Sequence, residues 1–297
     1  ITTPNETTAD GPSRTSNQRP RPACGAPCSA QLALFAAPPM AEMDWDAQDV
    51  VVVGNSGGKD SALCLDTVCR EADAAGALHK VRVLHCDLGS TPGGQLVEWP
   101  GAEDVARRQA ARYGVPFAVR RSARWSSLFA RILSRGRWPG HFARYCTSEL
   151  KTAVGRDYID ELAREKGLSR PIRAGYALGM RAEESAAGAK KPVVERHRMT
   201  AATKRIVHTW LPIHHLTETQ VWSTIRSQSL PYHPAYDQGM RRLSCRFCPL
   251  AAREDLVQSA RLNRELAQEY ADAETRMGEP FKKNLPMRRI IELARHS

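Results

Sequence analysis

The sequence lacks any run of about 18 apolar residues, which excludes a membrane-spanning helix. It also lacks the basic-then-apolar layout of a secretory signal. Its opening residues are rich in Thr, Pro, Ser, Asn and Ala instead, and residues 1–47 read as a disordered leader. Met40 and Met43 lie just before the first strand-like run, so a shorter start is compatible with the same reading. There is no internal repeat, which excludes a solenoid. Acidic charge is short: 32 Asp and Glu stand against 43 Lys and Arg, a net +11, with most of the excess in Arg. Distributed positive charge attracts phosphate backbones, so a polyanion partner is expected; the plainer alternative is cations gathered round a nucleotide. Eight cysteines occur, Cys24, Cys28, Cys64, Cys69, Cys86, Cys146, Cys245 and Cys248. Without a secretory layout they point to metal or catalytic use rather than to disulfides. The expected location is cytoplasmic, with no membrane partner.

What is present is concentrated at residues 50–61. Four valines, Val50 to Val53, lead into Gly54-Asn55-Ser56-Gly57-Gly58-Lys59-Asp60-Ser61, and a helical pattern follows. A buried strand that ends in a glycine-rich turn before a helix N-terminus is a phosphate-binding arrangement. Gly57 and Gly58 free the backbone, Ser56 and Ser61 offer hydroxyls, and Lys59 offers a positive charge. The string is not the Walker pattern, because Asp60 intervenes between Lys59 and Ser61, and it is not G-x-G-x-x-G.

Periodicity organises the rest. Helices are expected over 60–75, 102–113, 124–135, 148–166, 217–228, 250–279 and 285–295, and strands over 81–86, 115–120, 171–178 and 206–211. A loop is expected from about 180 to 203. Thr217, followed by Glu218 and Gln220, is a helix-start signal. Strands that alternate with helices predict an α/β fold, a mostly parallel twisted sheet flanked by helices. The expected division is a nucleotide-binding domain over 48–249 and a C-terminal helical appendage over 250–297. Asp87 closes the second strand, where a carboxylate can accept from a ribose hydroxyl or orient magnesium, or simply shape a turn.

The loop resembles, at full match, the Ser-Gly-Gly-x-Asp-Ser loop of the PP-loop ATP pyrophosphatases. That family cleaves ATP between its α and β phosphates, adenylates a substrate oxygen and releases pyrophosphate. Three further stretches narrow the likeness: Arg144-Tyr145-Cys146-Thr147 with Leu150-Lys151, Gly179-Met180-Arg181 with Glu184-Ser185, and Tyr236-Asp237-Gln238-Gly239 with Cys245-Arg246-Phe247-Cys248-Pro249. In order and spacing they are similar to the phosphoadenosine phosphosulfate (PAPS) reductase branch, over about residues 48–255. The resemblance implies an adenine nucleotide alpha hydrolase-like fold, with ATP and Mg2+ at Ser56, Gly57, Gly58, Lys59, Asp60, Ser61 and Asp87. It implies that Arg144, Lys151 and Arg181 face the nucleotide, with Glu184 paired to one of them, and that Lys59, Asp60, Cys146 and Arg181 act in catalysis. Cys146, Cys245 and Cys248 are the candidate metal ligands. A 4Fe-4S cluster on three cysteines, zinc completed by His233 or another histidine, and free thiols with one as a persulfide carrier all remain open. His214 and His215 read as loop residues.

Within that branch the intact loop, the cysteines without a reductase-type Glu-Cys-Gly tail and the net +11 resemble the DNA phosphorothioation enzymes of the SspD and DndC type. This implies DNA as the acceptor and a cysteine desulfurase as the sulfur source. The other readings are a sulfonucleotide reductase, the small subunit of an ATP sulfurylase, and a nucleotide-sensing DNA-binding module without turnover.

Overall fold

In β1 (Val50–Gly54) successive valines alternate between two buried layers. Val51 and Val53 enter one apolar cluster, and Val50 and Val52 enter another on the opposite face. A strand buried on both faces belongs inside a parallel sheet covered by helices, and that is where it lies. The computed structural model describes Ile1 and residues 43–296. Cys24, Cys28, Met40 and most of the expected leader lie outside the described residues. Residues 43–296 belong to one compact unit.

The remaining strands are β2 (Val81–Asp87), β3 (Phe117–Arg121), β4 (Ile172–Leu178), β5 (Val194–Arg196) and β6 (Arg205–Trp210). They form one six-stranded sheet in the order β3-β2-β1-β4-β6-β5. All neighbours are parallel except β5, which runs antiparallel on β6. The α/β expectation therefore holds. The chain leaves β1 towards β2 and β3 on one side and returns to β4 on the other, so the strand order reverses between β1 and β4. In open α/β sheets the crevice at such a reversal, outside the carboxyl ends of the strands, takes the ligand. Gly54, Leu84 and Leu178 are in register there.

Helix α1 (Lys59–Ala74) follows β1 directly. Then come α2 (Ala102–Ala111), α3 (Leu128–Arg135), capped by Ser127 Oγ accepting from Ala130 N at 3.0 Å, and α4 (Ala153–Glu165). The chain enters α4 through a helical turn at Tyr145–Thr147 and a π-helical stretch at Ser148–Thr152. Helix α5 (Glu218–Ser227) carries the expected capping box, with Thr217 and Gln220 bonded reciprocally.

Two expectations change. The loop expected near 180–203 contains β5, whose three residues are too few to show an alternation. The single helix expected over 250–279 is two, α6 (Arg253–Leu262) and α7 (Arg264–Met277), broken at Asn263, whose amide donates back to Ser259 O at 2.9 Å. With α8 (Met287–His296) these helices close an apolar cluster that also contains Leu88, Phe129, Tyr145 and Leu150.

Candidate nucleotide site

The loop after β1 is built around Asn55. Its Oδ1 accepts from Gly57 N at 2.8 Å and lies 3.0 Å from Ser61 Oγ, while its amide donates to Gln109 on α2 at 2.9 Å. Gly57 has φ +74°, and a Cβ there would sit 2.4 Å from Ala102 O, so only glycine fits. Ser61 Oγ is also 2.9 Å from Gly58 O, so this hydroxyl ties the turn to the first turn of α1. Ser56 is exposed at the tip.

Lys59 is 2 % exposed. It donates to Arg241 O at 3.0 Å and lies 3.3 Å from Glu218 and 3.4 Å from Asp60. Its backbone amide donates to Tyr236 OH at 3.0 Å, and its ammonium lies over the Tyr236 ring. Sequence reasoning quoted Tyr236 only as part of a motif; here it is the group that fixes the start of α1.

Arg181, after β4, is buried and donates from Nε to Asp60 Oδ1 at 2.7 Å, with Glu183 3.0 Å from Nη1. Glu184 takes the Arg181 backbone amide at 3.0 Å rather than the guanidinium, and its other oxygen faces Arg242 at 3.4 Å. The close approach of β4 to α1 depends on Gly179, where a Cβ would lie 2.6 Å from Asp60 O. Asp87 Oδ1 accepts from Gly89 N at 2.7 Å, and Oδ2 pairs with Arg121 on β3.

His85 was missed by sequence reasoning, since a lone histidine in a strand carries no signal. It is buried beneath the loop, with Nδ1 2.9 Å from Asn55 O and Nε2 3.5 Å from Glu98. Both partners can only accept, so the doubly protonated ring satisfies both. Burial disfavours that charge, but the Glu98 hydrogen bond and charge outweigh it, and the pKa is raised above the ordinary value.

Arg144 lines a cleft of 840 Å³ with Leu178, Met180 and the β5 residue Arg196. Lys151 lies among the thiols: burial acts against its charge, while Cys245, Glu98, Cys86 and Cys146 more than offset that and raise its pKa. Cys245 is held as a thiol by burial, against the pull of Lys151 and with Cys248 and Cys146 near enough to matter. Cys86 packs beside this group, and burial pushes its thiol up to about 12. The buried Tyr270 hydroxyl, beside Cys245 and Cys248, has no hydrogen-bond partner among the described residues.

Cys146, Cys245 and Cys248 thus share a neighbourhood, but among the described residues no group of three or more His, Cys, Asp or Glu is placed to hold a metal ion. His233 does not complete one, because both ring nitrogens are used: Nδ1 accepts from Ala235 N at 3.1 Å, and Nε2 donates to Pro100 O at 2.9 Å. His214 is likewise structural, buried with Nε2 2.9 Å from Gly188 O. Arg246, between the paired cysteines, is buried and bonds Leu96 O and Asn263 Oδ1, and its carbonyl accepts from Ser259 at 2.6 Å. That network ties the cysteine loop to the α6–α7 junction.

Residues 50–251 match the phosphoadenosine phosphosulfate reductase domain. An uncharacterized 37.8 kDa protein of Escherichia phage 186 is 32% identical over 124 residues, 42% of this chain and 35% of its own length. The match therefore spans about a third of that relative. Among solved structures, the PAPS reductase of Candida auris in its phosphate complex aligns at 16% identity and a TM-score of 0.43, over 73% of this chain and 85% of that one. The U34-tRNA thiolase of Methanococcus maripaludis, with its 4Fe-4S cluster, aligns at 14% identity and a TM-score of 0.35, over 86% of this chain and 75% of that one.

Proposed function

The chain belongs to the phosphoadenosine phosphosulfate reductase domain family, and from that premise we propose that it is an ATP pyrophosphatase that adenylates a DNA backbone phosphate for sulfur incorporation. The observation that carries this reading is the complete Ser56–Ser61 loop at the reversal point of the sheet, shaped by Asn55 and admitting only glycine at position 57.

In this reading the β and γ phosphates lie against the loop and the N-terminus of α1, where backbone N–H groups and the helix dipole favour negative charge. Asp60 is the carboxylate that would share a magnesium ion brought by the nucleotide, and that ion would neutralise charge on the leaving pyrophosphate. Arg181 holds Asp60 in place and adds positive charge beside the phosphates. A non-bridging oxygen of the acceptor attacks the α phosphorus; the bond to the bridging oxygen breaks, and pyrophosphate leaves. The acceptor then carries AMP. A persulfide sulfur, supplied by a cysteine desulfurase and carried on Cys146 or a neighbouring thiol, attacks the acceptor phosphorus and AMP departs. A second thiol takes up the carrier sulfur as a disulfide, leaving the outer sulfur on phosphorus. Lys151 places a positive charge among these thiols.

A second reading, sulfonucleotide reduction, is favoured by the family match itself. The two separate cleanly in one experiment. The protein is incubated with ATP, magnesium, DNA and a desulfurase charged with radiolabelled cysteine; in parallel it receives PAPS and a thiol reductant. Label in DNA with matching pyrophosphate supports sulfur insertion. Sulfite from PAPS, with no label in DNA, overturns it in favour of the reductase.

A further inference from the structure

The cleft beside the end of β4 is strongly cationic. Arg135, Arg144, Arg196 and Arg198 line it and are exposed. Its two carboxylates are already engaged: Glu149 takes Arg131 at 2.8 Å and Trp125 at 2.8 Å, and Glu195 lies 3.6 Å from Lys191. The arginines therefore present uncompensated charge. At the rim stands Phe142, whose ring is fully exposed at 107 %. A bare aromatic beside unpaired arginines is the pairing that binds a single strand, with stacking for a base and charge for its backbone.

The placement is specific. Leu178 and Met180 line the cleft, while the intervening Gly179 touches the backbone of Asp60 at the start of α1. The end of β4 thus stands between cleft and loop, and a strand lying in the cleft passes next to the nucleotide. The cleft has a volume of 840 Å³.

We propose that this cleft is the seat of a single-stranded nucleic acid segment, its phosphates on Arg144, Arg196 and Arg198 and one base stacked on Phe142. The proposal rests on the preceding reading for its choice of DNA, and on the cleft alone for the binding.

The test is fluorescence anisotropy of the full chain with a labelled 12-nucleotide single strand, its duplex and the RNA of the same sequence, across a salt series. The single strand binds at least tenfold more tightly than the duplex. The double variant Arg196→Glu, Arg198→Glu weakens binding at least tenfold and lowers the salt slope by about 1 to 2. Phe142→Ala weakens it roughly 5- to 100-fold with the slope unchanged. Both variants keep the wild-type melting temperature and ATP affinity, which separates loss of the surface from loss of the fold. Wild-type affinity in both variants, a preference for duplex, or no strand binding at all overturns the proposal. Strand binding without pyrophosphate release overturns the functional reading and leaves the cleft assignment standing. A preference for RNA supports the cleft and contradicts DNA as the acceptor.

Discussion

The loop residues were legible one by one because they are contiguous, and a contiguous string fixes its own geometry. Gly57 supplies the positive φ that the string implies; the Ser61 hydroxyl, read there only as a donor, also ties the turn to α1. Lys59 was legible as a cation but not in its partners, because Tyr236, Glu218 and the Arg241 carbonyl come from far along the chain. His85, Glu98 and Arg246 were not legible at all, since each acquires its role only from a distant partner. His85 gives a prediction with a definite sign. Its folded pKa is raised above 6.5, so its contribution to stability is fully present below that value and is lost as pH rises through the higher folded value. Thermal unfolding midpoints taken from about pH 6 to about pH 9 should fall across that window in the wild type and fall less in Glu98→Gln. Equal slopes in the two proteins would mean that the ring stays neutral. For Arg246→Ala, which removes the partner of the Leu96 carbonyl and of the Asn263 amide oxygen, a loss of roughly 1–3 kcal/mol in denaturant unfolding is expected. A loss under about 0.5 kcal/mol would place the cysteine loop's anchorage elsewhere.

Among the elements, periodicity located the long buried strands and the capped helices, because their patterns repeat over several turns. It missed β5, with three residues on a sheet edge, and the break between α6 and α7, which an Asn263 side-chain hydrogen bond makes inside an unbroken apolar pattern. What matters for the site is the contact of β4 with α1. Gly179→Ala places a methyl 2.6 Å from the Asp60 carbonyl oxygen, and neither backbone can yield without moving the loop. Pyrophosphate release should drop at least tenfold while the circular dichroism spectrum is retained. Full activity would mean that the site tolerates separation of the two elements, and that Arg181 does not have to meet Asp60.

Across the whole molecule, a mostly parallel sheet was implied by the alternation of strands and helices; its order, with the reversal between β1 and β4 where the candidate site lies, was not. The closure by α6 to α8 was not legible, because an amphipathic helix does not announce which surface it covers. These helices bury Tyr270, Leu266 and Ile290 against Leu128, Phe129 and Tyr145, next to the cysteines. Deleting residues 253–296 should therefore yield aggregated protein without a cooperative thermal transition; a soluble, cooperative product would show that the α/β part stands alone.

The account rests on ATP being held by its polyphosphate at Ser56–Ser61 and cut between the α and β phosphorus atoms. Phosphorus NMR of ATP turned over by the protein with magnesium and DNA tests this directly. The account predicts AMP and pyrophosphate resonances that grow with wild-type protein and are nearly absent with Ser61→Ala, a variant that still melts cooperatively. ADP with inorganic phosphate, or undiminished pyrophosphate from the variant, would contradict it.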